Sequence, residues 1–365
     1  MKSRDSISCH QTGVIAGIML LVLKLTSLPS LMYDASEIGG IVSIVLICLF
    51  NILVLALIVW LKKKYENKNL YNIFCSFLGR IVTKIIYFIL FVFFLFKLLS
   101  LVDDGFGFVR DIADEEFKYF SFIICFFPVI CALAFSGIRN LARTCEFFYP
   151  FVLIGLFIAI VFSFAPINFW GIGSISRLNI ASVGNVISRL SFWNGDLFAM
   201  IIFLDKIELK KGKLRQLFSP IIIVSVFLVL AYAMYYSLYQ QTSILHSNMI
   251  FDIIEYSVGT SSGWHMDIFA IIIYMVCLYL QGAIYVYSSG VALGKVFNFY
   301  NFKVIYSGIV ITIIIVQFLY MNDYLKYVVF AQKYLSIASM ILLIAIPILL
   351  VISVLKGRGN ARNLA

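Results

Sequence analysis

Residues 13–33 read GVIAGIMLLVLKLTSLPSLMY, and residues 185–204 read NVISRLSFWNGDLFAMIIFL. Each is a block of about 20 mostly apolar residues, the length that carries an α-helix across a hydrocarbon core of about 30 Å. Each is also interrupted near its middle. In the first block Pro29 has no amide hydrogen and leaves the carbonyl of Leu25 without its helical donor. Lys24, Thr26, Ser27 and Ser30 stand beside it, and Ser or Thr side chains can re-satisfy backbone groups freed in this way. In the second block Ser191, Trp193, Asn194, Gly195 and Asp196 occupy the centre. Were Asn194-Gly195 an ordinary loop, residues 197–204 would be too short to span, so a broken membrane helix is the better reading.

The rest of the chain agrees with a membrane setting. Of its 365 residues, 62% are apolar and 13% charged, and the mean hydropathy is +1.02. Soluble domains carry about 25% charged residues, so there is too little polar surface here to coat a soluble globule. Hydrophobic runs predict ten helices at about 12–32, 38–61, 81–101, 119–136, 148–168, 186–204, 217–240, 266–290, 304–320 and 334–355. The first run contains Lys24 and Pro29 and lacks a small-residue cleavage site, so it reads as a helix and not as a signal peptide.

The net charge of +10 is a topology signal. Of the 28 Lys and Arg, 20 fall in the N-terminus, 62–84, 137–147, 205–216, 291–303 and the C-terminus; six fall in the alternate loops. Lys24 and Lys97 lie within apolar blocks. The excess places both termini in the cytoplasm. With no basic domain or helix, nucleic acid is not an expected partner. The alternate loops are acidic, with Asp103, Asp104, Asp111, Asp114, Glu115 and Glu116 clustered as a solvated outer loop.

Ten helices divide into five plus five, and an odd-numbered repeat inserts with opposite orientation in each half. The expected fold is all-α and integral to the membrane. It is one transmembrane domain, with a first repeat at about 12–168 and a second at about 186–355. Inverted-repeat folds place a small-molecule site where discontinuous helices meet near the midplane. The interruptions in helices one and six fall at corresponding places.

Ionisable residues at membrane depth cost a few kcal/mol and face a partner or cavity. Lys24 and Asp196 qualify, as neighbours at the repeat interface or as groups that reach water separately. Lys97 stands near the expected outer end of helix three, where snorkelling to the interface accounts for it. Freed amides at a half-helix attract a carboxylate and freed carbonyls an ammonium, which suits a zwitterionic amino acid. Lys24, Thr26, Ser27, Pro29, Ser191, Trp193, Asn194, Gly195 and Asp196 are therefore the candidate ligand-binding residues. Ser288-Ser289 in helix eight reads as ordinary packing or as part of a cation site with carbonyls of helix one. Tyr274, Tyr279, Gln281, Tyr285 and Tyr287 read as an interface belt or bundle packing. Arg143 and Glu146, at i and i+3, can pair on a helix, and a coupling role is the alternative to topology. Gly13 and Gly17 form a GxxxG pair suited to close helix packing.

Enzyme motifs are absent: there is no HExxH, GxSxG or Walker A run. The seven cysteines form no CxxC pair and the three histidines are scattered, which predicts no metal site and no cofactor.

These residues also carry a family resemblance. The chain resembles the endospore germination permeases, the B subunits of spore germinant receptors, within the amino acid–polyamine–organocation transporter superfamily. Ile7-Ser8-Cys9-His10-Gln11 looks like the family's ISxxQ opening, and Leu28-Pro29-Ser30-Leu31 resembles its LPS element. Residues 137–150, GIRNLARTCEFFYP, resemble the loop before helix five, notably Ala142-Arg143, Glu146 and Pro150. Gly195-Asp196 resembles a Gly-acidic pair in helix six. Lys24 and Leu25 stand where family members usually have small residues, and Asp196 stands for the more usual Glu.

The resemblance implies a LeuT/APC-like 5+5 inverted-repeat bundle with a site among helices one, three, six and eight. It implies a small germinant such as an amino acid as ligand. It implies a membrane subunit with soluble domains and a lipoprotein subunit as partners, and residence in the spore inner membrane. A proton- or cation-coupled amino-acid permease, and a membrane scaffold with a vestigial pocket, are the competing expectations.

Overall fold

The computed structural model describes residues 6–26, 28–36, 39–65, 69–113, 118–162, 180–210, 212–246, 248–258, 267–299, 301–320 and 330–362. The described residues form a helical bundle. The first passage is α1 (Cys9–Leu25) followed by α2 (Leu28–Ser36). Then come α3 (Gly39–Lys64), α4 (Leu70–Leu78), α5 (Arg80–Ala113), α6 (Tyr119–Phe135) and α7 (Ile138–Phe162). The interrupted segment follows as α8 (Ile180–Arg189), a 3-10 turn at Ser191–Trp193, and α9 (Phe198–Ile202). The chain closes with α10 (Leu214–Tyr239), α11 (Met249–Val258), α12 (Asp267–Phe297), α13 (Phe302–Tyr320) and α14 (Ser336–Arg362).

Among the described residues, seven helices are long and apolar enough to cross a bilayer: α3, α5, α7, α10, α12, α13 and α14. Two more apolar helices, α1 and α6, have 17 residues each. The expected span at 186–204 is divided into the pieces on either side of Asn194-Gly195. The seven spans and the interior apolar helices make this an integral membrane protein.

Several boundaries differ from the sequence expectation, each for a local reason. Helix α5 runs to Ala113, twelve residues past the expected end at 101. Asp103 and Asp104 therefore lie within a helix instead of a solvated loop. Asp103 accepts from the Tyr119 hydroxyl at 3.2 Å and from Gln317 Nε2 at 3.1 Å, and such bonds let a carboxylate leave water. Asp114, Glu115 and Glu116 lie outside the described residues. Helix α7 begins at Ile138, directly after Gly137 turns the chain with φ +84°, so the stretch 138–147 is helical and not a loop. Two helices arise inside expected loops. In α4, Leu70, Ile73 and Phe74 are buried at i, i+3 and i+4, an amphipathic stripe too short to register as a membrane span. Helix α11 arises likewise in the long loop before α12.

The core is built around α1. From Thr12 to Leu25 every residue is buried, as expected of a helix apolar on all sides. It packs on α10, α7 and α12. A Cβ at Gly13 would collide with the backbone carbonyl of Leu217 on α10, and one at Gly17 would crowd Val224. The GxxxG pair thus serves close helix approach. Helix α12 is the second hub, packed on α5, α6, α7 and α13. By contrast α14 shows Ile337, Ile341, Ile344 and Ile348 at its surface, a face suited to lipid.

Candidate ligand-binding site

The two interruptions are built differently. The α1–α2 break falls at Thr26, with α2 restarting at Leu28 so that Pro29 occupies its first turn, where a missing amide costs nothing. The carbonyls around the break are met by tyrosines of α10. The Tyr232 hydroxyl donates to the Lys24 carbonyl at 2.9 Å, and the Tyr236 hydroxyl donates to the Pro29 carbonyl at 2.8 Å. Thr26 takes no part in the expected Ser/Thr rescue, because its hydroxyl is buried without a partner among the described residues; Ser27 lies outside them. In the second break Asn194 is extended and Gly195 takes φ +84°, a conformation that favours glycine. Asp196 then turns inward.

Asp196 is the centre of the site. Its Oδ2 accepts from Lys24 Nζ at 2.6 Å. Its Oδ1 accepts from Lys97 Nζ at 2.7 Å and from the Tyr285 hydroxyl at 2.6 Å. Lys24 Nζ also donates to the Trp193 carbonyl at 3.2 Å, so one ammonium joins both breaks. Gln281 Nε2 donates to the Tyr285 oxygen at 2.8 Å and lies 3.4 Å from the Met19 carbonyl. Lys97 Nζ stands 5.6 Å from the Phe93 ring centroid and 5.3 Å from that of Phe192, within cation–π range. Lys24, Lys97, Asp196, Gln281 and Tyr285 all have 0% exposure. The site is closed to solvent.

Lys97 corrects the snorkelling reading. Because α5 continues to Ala113, Lys97 is the eighteenth of its 34 residues and not near an end. Its ammonium turns into the bundle. Helices α1, α5 and α12 and the interrupted segment each supply one or more groups to the centre.

The other candidates divide. Asn194 Oδ1, the Trp193 indole nitrogen, the Thr26 hydroxyl and Gln281 Oε1 are buried polar atoms with no hydrogen-bond partner among the described residues. Buried polar atoms are nearly always paired in native proteins, and these four retain the capacity to bond a ligand or water. Ser191 faces elsewhere: its hydroxyl donates to the Ser336 carbonyl at 2.5 Å and lies 3.1 Å from the Ser339 hydroxyl, pinning the 3-10 turn to α14. Ser289 donates to Val286 of its own helix at 3.0 Å, and Ser288 lies 3.5 Å from the Ala199 carbonyl of α9. Neither serine hydroxyl is hydrogen-bonded to α1 among the described residues.

Glu146 is not paired with Arg143. Its Oε1 lies 2.8 Å from His10 Nδ1, and its Oε2 accepts from Gln11 Nε2 at 2.8 Å. Gln11 also completes a capping box with Ser8 at the start of α1. Just before it, Ile7 forms an isolated parallel bridge with Ile207. The Ile7 amide donates to Lys206 and the Glu208 amide donates to Ile7, both at 2.9 Å. The Cys9 thiol donates to the Glu208 carbonyl at 3.3 Å and accepts from the Lys210 amide at 3.4 Å. The ends of both interrupted passages are thereby tied to each other and to α7, at a distance along the chain from the charged centre.

Sequence reasoning missed Lys97, Tyr285 and Gln281 as members of the centre, Tyr232 and Tyr236 as caps, and His10 and Gln11 as partners of Glu146. Gln281/Tyr285 and Tyr232/Tyr236 both stand at i, i+4 on one helix face, a spacing that also describes ordinary packing.

A membrane bundle whose two interrupted helices meet at a buried polar centre defines a permease-like protein. Residues 6–325 match the family model for spore germination proteins, Spore_permease. The chain belongs to that family. Among curated proteins, none matches it.

Proposed function

We propose that this chain is the permease-like subunit of a spore germinant receptor. It binds a small polar germinant, such as an amino acid, where the two broken helices meet. The carrying observation is the buried contact of Lys24 with both Asp196 and the Trp193 carbonyl, which makes one side chain answerable to both breaks. A ligand that competes for these groups and for the unpartnered atoms of Thr26, Trp193 and Asn194 has different affinities for closed and opened arrangements. Differential affinity is what a switch requires.

In this reading the ten hydrophobic runs are ten passages in two inverted repeats, with α1–α2 and the 180–204 segment as the equivalent broken helices. The Lys and Arg asymmetry supports cytoplasmic termini. The protein resides in the spore inner membrane, and a membrane subunit with soluble domains and a lipoprotein subunit read its conformation. Family membership supports these assignments.

A second reading, an amino-acid secondary transporter, draws on the same observation. A fully enclosed centre tied at one end by Ile7, Gln11 and Glu146 is the closed form that alternating access would require. Deletion of the gene, complementation and germinant challenge, with uptake measured in proteoliposomes, separates the two. The receptor reading expects loss of a germinant response without uptake by the isolated protein. The transporter reading expects uptake and normal germination.

A further inference from the structure

The charged centre does not balance. Two ammonium groups, Lys24 and Lys97, face one carboxylate, Asp196, and all three are fully buried. The two cations are not equally served. Lys24 has two acceptors, the Trp193 carbonyl and Asp196 Oδ2. Lys97 carries three donors, yet among the described residues its one hydrogen-bond acceptor is Asp196 Oδ1, an oxygen already shared with the Tyr285 hydroxyl. The rest of its surroundings include the faces of Phe93 and Phe192, which attract a cation but accept no hydrogen bond of ordinary strength. The next carboxylate on the same helix face, buried Asp104, is seven residues further on and adds only the weakest of the attractions on Lys97. Burial of an unbalanced charge is costly, and loss of a proton or the arrival of a counter-ion relieves it.

The ammonium-binding place is meanwhile filled from within. A carboxylate together with a carbonyl at a helix break is what would receive the amine of an amino acid, and Lys24 occupies both. A zwitterion would bring a second ammonium to the same acceptors and leave the net charge of the centre unchanged. A monoanion would neutralise it.

We infer that the ligand of this chain is a small carboxylate anion of net negative charge, with its carboxylate received by Lys97 and no amine required. This rests on the proposed germinant-binding role and specifies its ligand class. Lys97 is the selectivity residue, and Lys24 acts as a built-in substitute for the ligand's amine. The Thr26 hydroxyl and the Trp193 indole N–H, buried and unpartnered among the described residues, are left for the remainder of the ligand.

The test uses intact spores lacking the gene, complemented with the full-length wild type or a variant. They are challenged with amino acids, hydroxy acids, simple carboxylates, sugars and nucleosides. L-lactate, L-alanine and L-alaninamide are included as compounds of similar size that differ in charge. The inference expects that responses requiring this chain are to anions, with half-maximal concentrations at least tenfold below those of zwitterionic analogues. It expects Lys97→Met to abolish that preference and Lys97→Arg to keep it, with protein levels in the membrane checked by immunoblot. Dependence confined to zwitterionic, neutral or cationic compounds would overturn the anion assignment and leave the binding role standing. Equal loss of anionic and zwitterionic responses in Lys97→Met at normal protein level would also overturn it, since a structural role moves every ligand alike. Absence of any compound whose response needs the chain would overturn the role itself, and the inference with it. The wild-type ligand profile decides the matter even if Lys97→Met fails to accumulate.

Discussion

Lys24 and Asp196 are 172 residues apart in the chain and 2.6 Å apart in the fold. The pair spans the breaks of two helices, and it is closed from behind by Lys97. Much of the site's behaviour should follow from how charge is divided among these three side chains.

Removing the single acid is therefore expected to do more harm than removing either base. Asp196→Asn leaves two buried ammonium groups without the carboxylate that bonds them both, a change that costs about 3–5 kcal/mol when one partner of a buried pair is lost. Lys24→Met leaves Lys97 and Asp196 as a balanced pair and is expected to cost less. Melting of the purified protein in detergent should rank Asp196→Asn well below Lys24→Met; the reverse order would contradict an excess of positive charge at the centre.

The second break depends on a backbone conformation as well as on charge. Gly195 takes φ +84°, and a Cβ there would also stand 3.2 Å from Phe93 and 3.3 Å from Leu343. Gly195→Ala is expected to destabilise by about 1–2 kcal/mol, the cost of left-handed backbone for an L-residue. Gly184→Ala is the control, because that position lies in α8 with nothing within 4 Å of the added carbon. It should be neutral or stabilising by up to about 1 kcal/mol. Chemical or thermal unfolding of the two variants measures the difference.

The first break relies on two tyrosine hydroxyls. Tyr232→Phe and Tyr236→Phe each remove a buried hydroxyl donor, from the Lys24 or the Pro29 carbonyl. A loss of about 1–3 kcal/mol is expected for each. The corresponding change at Tyr279, whose contact is stacking on Phe126, should be small. A melting series tests this ranking.

The tie at the N-terminal end can be read out through Cys9. Its thiol is buried, bonded to the 208–210 segment. In a background with the other six cysteines replaced, Cys9 should react slowly with a maleimide. Glu146→Ala, which releases both His10 and Gln11, is expected to raise the labelling rate several-fold. Equal rates would mean that Glu146 does not hold this end closed.

How much of the site is legible in the sequence depends on the range of each interaction. The breaks are legible because their causes are local: Pro29 lacks an amide, and Asn194 and Gly195 are adjacent weak helix formers. Lys24 and Asp196 stand out because charge at membrane depth needs a partner. Lys97 is misjudged for a definite reason: hydropathy ends helix three near residue 101, while the helix continues through Asp103 and Asp104, whose acidity ends the apolar run but not the hydrogen bonding. The tyrosine caps and the Glu146 partners are not legible. A tyrosine that caps a distant carbonyl has the same sequence pattern as one that packs, and His10 and Glu146 are 136 residues apart. Helices α4 and α11 escape because short amphipathic helices do not raise a membrane-length hydropathy window.

The central claim is that a germinant is sensed at the junction held by Lys24, Asp196 and Lys97. It is tested most directly by restoring a gene-deleted spore with wild type or Asp196→Asn at matched membrane levels. Germination is then scored across the compound panel, and uptake of the same compounds is measured in proteoliposomes. The account predicts that one class of compound loses its response in the deletion, that wild type but not Asp196→Asn restores it, and that the liposomes take up none of it. Full rescue by Asp196→Asn, or vigorous uptake with unaltered germination in the deletion strain, would contradict it.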